Sequence, residues 1–277
     1  MKYELTEETI TVFGKTLYRI KSKKDFANVK AGDLGGFIES VNNLSQDGNA
    51  WVYENAIIFG DAEIYGNARI YGNAIIFGNA RIYGNARIYG NARIYGNAEI
   101  YGNARIYGNA RIYEDAEIYG NAAIYGNARI YEDAEIYGNA EIYGNAEIYG
   151  NAAIYGDARI FEDARIYGGA EIYGNVRIFE DAEIYGSALV HGDAEICGNA
   201  RIYGDADYIV FKNWWSSGRY FTWTRSNNMW KIGCFYGTGE ELIKKAYADS
   251  ERSGREYERV VKYVESIISE ENESNKI

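Results

Sequence analysis

From Val52 to Ile202 an aliphatic residue stands at every sixth position without a slip, and two residues ahead of each stands Ala, or Val at 176. Along Ala68-Arg69-Ile70-Tyr71 the side chains run small, charged, apolar, aromatic. That period of two marks a strand, with Ala and Ile turned to one side and Arg and Tyr to the other. Gly72-Asn73 then turns the chain, because Gly enters the left-handed backbone region without steric cost and Asn tolerates it. Each hexad reads as one short strand and one corner. Three sides close a coil of about eighteen residues, stacked at about 4.8 Å, so about 26 hexads predict nearly nine coils and a rod of about 40 Å. Every Ile from Ile58 to Ile202 should point inward, with residues eighteen apart stacked.

The ends do not repeat. Residues 1–49 read as an N-terminal cap, with a hairpin formed by Ile10 to Phe13 and Thr16 to Ile20 around Gly14-Lys15, then a Gly-rich stretch. A solenoid needs such caps to cover its exposed strand edges. Residues 50–206 form the repeat. Residues 207–277 change character, with strands expected at Tyr208 to Asn213, Arg219 to Arg225 and Trp230 to Cys234. Thr238 and Glu241 form a capping box that opens a helix, and Tyr257, Val260, Val261, Val264, Ile267 and Ile268 mark an amphipathic second one. The chain is thus expected to be mainly β: a single-stranded parallel β-helix with an N-terminal cap and a small α+β C-terminal domain.

The hexad Ile82-Tyr83-Gly84-Asn85-Ala86-Arg87 resembles the repeat of left-handed β-helix hexapeptide proteins, whose best-known members are trimeric acyltransferases. The resemblance covers about residues 50–206 and implies a left-handed coil of three hexads. It departs at the second position, where the family carries a small or acidic residue and this chain carries Tyr. More specifically, Asn28-Val29-Lys30-Ala31-Gly32-Asp33-Leu34-Gly35-Gly36-Phe37-Ile38-Glu39, then Asn43-Leu44-Ser45 and Gly48-Asn49-Ala50-Trp51-Val52-Tyr53, resemble β-helical proteins of phages, prophages and enteric bacteria. Gly218-Arg219 and Cys234-Phe235-Tyr236-Gly237-Thr238 resemble tails of the same group.

The composition of the 277 residues is repeat-driven, with 28 Tyr, 32 Gly and no Pro. The first residues lack the pattern of a signal peptide and no apolar run is long enough to span a bilayer, so a cytoplasmic location is expected, in the host cell if the chain is phage-encoded. Cys197 and Cys234, expected to be unpaired and without metal-ligand company, fit a reducing compartment.

Candidate chemistry is sparse. Transferases that this repeat resembles use a histidine general base near a loop extruded from the coil. The one histidine here, His191, falls in step at the Tyr position of Val190-His191-Gly192-Asp193, with no such loop, and reads as a surface substitution. Gly32-Asp33-Leu34-Gly35-Gly36 lacks the ending of a phosphate loop and reads as a cap turn. Trp214, Trp215, Trp223 and Trp230 suit the core of so small a domain. No catalytic residue, metal site or cofactor is expected.

Charge is the more informative signal. Both flanks are neutral, so the repeat carries the whole net charge of −11. Up to residue 112 the repeat is mildly positive; from 113 to 206 it is about −13. Glu114-Asp115 stacks under Glu132-Asp133 with Glu117 and Glu135 adjoining, and Glu162-Asp163 stacks under Glu180-Asp181. Like charges at this spacing repel, so these ten residues are the candidate partner-binding set. Solubility of a solvated face is the plain alternative, and clustered carboxylates also suit Ca²⁺, although no calcium-repeat motif is present. Rows of carboxylates can also imitate nucleic-acid phosphates and occupy a basic channel. Columns of stacked Tyr offer a further contact surface. The expectation is a non-enzymatic, phage- or prophage-encoded binding protein that inhibits a host nucleic-acid-directed defence enzyme, such as a CRISPR effector or nuclease. Its partner is a protein, with no direct nucleic-acid or membrane contact; homo-oligomerisation stays open. A hexapeptide-repeat acyltransferase is the alternative, and a structural or virion-associated protein the third reading.

Overall fold

The computed structural model describes residues 1–274. The six-residue period closes into a parallel β-solenoid of three faces. The first face is an eight-stranded sheet running from Glu63–Ile64 to Leu189–Gly192, and the second a nine-stranded sheet from Trp51–Val52 to Glu195–Ile196. The third runs from Ile57–Ile58 to Arg201–Ile202 and is extended by the cap into twelve strands. Strands pair in parallel with residues eighteen apart opposed, as in Arg69↔Arg87 and Ile70↔Ile88. Every aliphatic residue of the six-residue series from Ile58 to Ile202, and every Ala or Val two residues ahead, is fully buried; Ile75, at an outward strand position, is the one Ile in this span that is only partly buried. Removing one such Ile side chain to Ala would cost about 2–5 kcal/mol.

Backbone polarity runs one way along the rod. Arg69 N donates to Ala86 O at 2.9 Å and Tyr71 N to Ile88 O at 2.8 Å, and the pattern repeats coil after coil. The first coil is therefore left with free carbonyls and the last with free amides, and each end is capped by the matching chemistry. At the first end Lys2 Nζ donates to Ala50 O at 2.9 Å and Tyr3 Oη to Leu44 O at 2.6 Å. At the last, Leu189 N donates to Asp205 Oδ1, His191 N to Tyr208 Oη, Glu195 N to Thr222 Oγ1 and Arg201 N to Ser226 Oγ.

The corners combine two requirements. Gly72 has φ +72°, and a Cβ placed there would come within 2.7 Å of Gly90 O in the next coil. Beside each Gly, Asn side chains form ladders: Asn67 Nδ2 donates to Asn85 Oδ1 at 3.1 Å, and Asn85 to Asn103 at 3.0 Å. The Tyr columns stack as expected, Tyr119 on Tyr137 at 4.7 Å with parallel planes. Their rings press on one another and are mostly half-buried, so they present edges more than open faces.

The cap hairpin is longer than the sequence indicated, Tyr3–Val12 against Lys15–Ser22, turning through Phe13 and Gly14, both at positive φ. Within the Gly-rich stretch only Gly32 sits in a turn; Leu34–Ile38 is a strand that joins the third face beside Ile57–Ile58. Gly35 is needed there because a Cβ would lie 2.5 Å from Val52 O.

After the solenoid come four antiparallel strands, Tyr208–Lys212, Tyr220–Thr224, Met229–Ile232 and Phe235–Gly237, then helices α1 (Gly239–Asp249) and α2 (Glu251–Ser274). Thr238 caps α1, with Glu241 completing the box. Trp215, Trp223, Trp230, Leu242, Tyr257, Val261 and Val264 form this region's core. Trp214 is the exception among the tryptophans, 70% exposed. Among the described residues no helix is long and apolar enough to cross a membrane.

Candidate active site

Where the last coils of the second face meet the C-terminal sheet, the repeat changes chemistry. Its aromatic column there reads Tyr143, Phe161, Phe179, Cys197, and the last three are buried as one cluster. A covered face leaves a phenol hydroxyl without water, so the hydroxyl is dropped. Lys231 of the C-terminal sheet lies over the Phe179 ring at 5.4 Å. Burial pushes the Cys197 thiol up to about 12. Both cysteines are free.

Beside this docked strip opens a polar cleft of about 320 Å³. Its solenoid wall comprises corner residues Asp157, Asn175 and Asp193 and strand residues Arg159, Arg177 and Glu195; the facing wall is Arg219, Tyr220 and Gly233. Arg177 is fixed by Glu195 at 3.0 Å and lies over the rings of Phe161 and Phe179. Two atoms of this pair, Arg177 Nε and Glu195 Oε2, are buried without a hydrogen-bond partner. Such atoms are costly unless something else completes them. Arg159 is held by Glu141 at 3.2 Å.

Asp157 and Asp193 end segments of one Asn ladder. Asp157 Oδ1 accepts from Asn139 at 2.9 Å, and Asp193 Oδ1 from Asn175 at 3.3 Å. A carboxylate has no proton to pass on, so each ladder stops at the cleft and leaves one oxygen outside it. Arg219 makes no ion pair among the described residues. It also lines a second cavity of about 300 Å³ in the C-terminal region, together with Lys245, Ile232, Phe235, Leu242 and Tyr257. One cation thus borders a cleft lined by three carboxylates and three guanidiniums, its own included, and a partly apolar cavity. That pairing suits an anionic, partly apolar molecule on one side and a nucleophile awaiting deprotonation on the other.

The ten acidic residues singled out in the sequence lie elsewhere. Glu117 pairs with Glu135 in parallel, and Glu114-Asp115 and Glu132-Asp133 stack at the adjoining corner, so six carboxylates do gather. Glu162-Asp163 and Glu180-Asp181 stack at another corner. None lines the cleft or the second cavity. Several have local partners. Glu162 Oε2 accepts from Glu180 N at 3.0 Å, and Glu180 Oε2 from Gly198 N at 2.7 Å. Glu117 accepts from the Tyr119 hydroxyl, and Asp163 from Asn145. Among the described residues no group of three or more His, Cys, Asp or Glu side chains is placed to hold a metal ion. His191 continues the first face's aromatic column, 5.5 Å from Tyr173 and nearly parallel, outside the cleft lining. The cleft residues escaped sequence reasoning, although Phe161-Phe179-Cys197 and the Asn-to-Asp changes at 157 and 193 did signal a covered, altered face.

Comparison with known proteins agrees on the repeat. A family model described as the YdcK beta solenoid repeat matches residues 62–78, 68–84, 80–92, 86–102, 98–114 and 104–120. The chain is a β-solenoid repeat protein. It is 40% identical over 72 residues to the uncharacterized acetyltransferase YdcK of Escherichia coli strain K12, a match covering 23% of this chain and 22% of that protein. These findings overturn the expectation of a non-enzymatic protein. That expectation rested on the missing extruded loop and the in-step histidine, features of the coil alone. The cleft is formed by the coil together with a second region, so the hexads alone show at most a covered face and not the cleft.

Proposed function

We propose that the protein is a hexapeptide-repeat acyltransferase that moves an acetyl group from a thioester to an amine or hydroxyl acceptor in the cleft between the last coils and the C-terminal sheet. The observation that carries the reading is the cleft's make-up: free carboxylate oxygens at the end of an Asn ladder, opposite an unpaired Arg219. The likeness to an acetyltransferase supplies the reaction class. Arg219 and Lys245 hold the anionic part of the donor, and Phe235 and Leu242 offer apolar contact to its chain. The acceptor's nitrogen or oxygen attacks the thioester carbonyl; the new bond to carbon forms as the C–S bond breaks. Asp193 takes the acceptor's proton and returns it to the departing thiolate, which leaves as a thiol. The Arg177–Glu195 pair, which lines the cleft, orients the acceptor. A cytoplasmic location belongs to the same reading, supported by the two unbonded cysteines.

The test is thiol release from acetyl-CoA across a panel of amines and sugars. Asp193→Asn restores the repeat's own residue, so the fold holds while turnover falls by about a hundredfold, the usual weight of a general base. Arg219→Ala raises the KM for the donor. His191→Tyr leaves turnover unchanged; a collapse there would move the base to the imidazole. No thiol release by the unaltered protein with any acceptor would sink the proposal.

The acidic corners are a separate matter. As a surface for a basic partner protein they stand as a second proposal, motivated by the six carboxylates gathered in two neighbouring coils. Charge reversal at Glu114, Asp115, Glu132 and Asp133 followed by copurification from native cells tests it; an unchanged set of partners rejects it.

A further inference from the structure

The second face carries a basic track far from the cleft. Arg69, Arg87 and Arg105 oppose one another in consecutive parallel pairs, about 4.8 Å apart along the rod. None of the three forms an ion pair among the described residues, unlike Arg81, Arg129, Arg159, Arg165, Arg177 and Arg201. Three stacked guanidiniums repel one another, and Ala123 shows that the column accepts a small neutral residue. Alongside runs the Asn ladder, and Arg69 and Arg87 line a groove of about 380 Å³ together with Asn49, Asn67, Asn85 and Asn103, with Arg105 continuing the column just beyond it. Each ladder amide spends one N–H and one acceptor site on its neighbours and keeps the others for a ligand.

We propose that this groove binds an acidic polysaccharide, a chain carrying one carboxylate per sugar, laid along the rod. Guanidinium groups take carboxylates in paired hydrogen bonds, and amides serve the sugar hydroxyls between them. A linear ligand matches a site that repeats at a fixed pitch. Nucleic acid fits less well on two counts. Phosphates of a duplex strand advance by about 3.4 Å along the helix axis while winding round it, so they do not follow a straight column at the coil pitch. Bases also need open aromatic faces, whereas Tyr71, Tyr89 and Tyr107 stack on each other at 4.6 and 4.9 Å with nearly parallel planes. The inference concerns binding alone and is independent of acyl transfer in the cleft.

Fluorescence anisotropy with labelled oligogalacturonate, without acyl donor, tests it. The full chain binds saturably and loses affinity as salt rises, and a neutral glucan of equal length does not bind. The triple variant Arg69→Ala, Arg87→Ala, Arg105→Ala binds at least about tenfold more weakly, a loss of about 1.4 kcal/mol, with an unchanged circular dichroism spectrum. Arg165→Ala, on the third face, binds like the parent. Equal binding by the triple variant overturns the proposal. So does equal weakening in Arg165→Ala, or an oligodeoxynucleotide of equal charge binding as tightly as the uronate. Absence of any uronate binding by the parent chain does the same.

Discussion

Glutamate occupies a glycine corner at Glu114, Glu132, Glu162 and Glu180, each at φ near +60°. A side chain in the left-handed region costs about 1–2 kcal/mol, and reverting to Gly returns that while adding up to about 1 kcal/mol of unfolded-chain entropy. Glu132→Gly should therefore stabilise by about 0.5–1 kcal/mol, since its carboxylate accepts no hydrogen bond among the described residues. Glu180→Gly has the same two terms but loses the bond from Gly198 N at 2.7 Å, worth about 1.5 kcal/mol for a charged acceptor. It should destabilise by about 0.5–1 kcal/mol. Urea unfolding followed by circular dichroism reads both as shifts of the midpoint in opposite directions, a gap of about 1.5 kcal/mol. Equal shifts of the same sign would show that the carboxylate bond to the next coil contributes nothing, and that the corners are governed by backbone strain alone.

Two further outcomes follow from the same packing. Desolvation in the columns raises many phenols, with Tyr149 and Tyr185 pushed up to about 12, the latter mainly by its bond to Glu183. Their folded values exceed the unfolded value near 10, so this stability is fully present below pH 10 and is lost as pH climbs towards 12. Tyrosinate absorbance in a pH titration should lag behind that of the urea-unfolded chain and then rise together with loss of β signal; superimposable curves would refute this. Maleimide labelling should modify the exposed Cys234 in the native protein and reach the buried Cys197 only after denaturation. Two labels on the native chain would mean that the C-terminal sheet does not cover the last coils.

The solenoid was legible because its determinants are local and repeated: Ala and Ile at fixed spacing, with Gly at the corner, leave one inward set and one pitch. The Thr238 and Glu241 box opened α1 as read, for the same local reason. What the sequence hid depends on partners eighteen residues away or in another region. The Glu corners read as stacked, repelling charges and hence as a candidate partner surface, with no sign of the hydrogen bond that Glu180 makes, since the amide it caps lies a full coil later. Trp214 shared the composition of its buried neighbours, yet the turn after Lys212 leaves it outside. The cleft needed the C-terminal sheet to land on the second face, a docking that Phe161, Phe179 and Cys197 imply only once that landing is known.

The identity of every coil makes the rod a ruler marked in thirds of a turn. Insertion or loss of a whole coil would lengthen or shorten it and leave Phe161, Phe179 and Cys197 beneath the same sheet. Loss of a single hexad ahead of Asp157 would keep both the core and the cleft, because the cleft's solenoid wall lies within residues 157–195, but would turn that end by a third of a turn relative to the earlier coils. Inheritance of length is therefore quantised only at the cleft: single hexads can come or go ahead of Asp157, but between Asp157 and Glu195 only whole coils keep the wall in line.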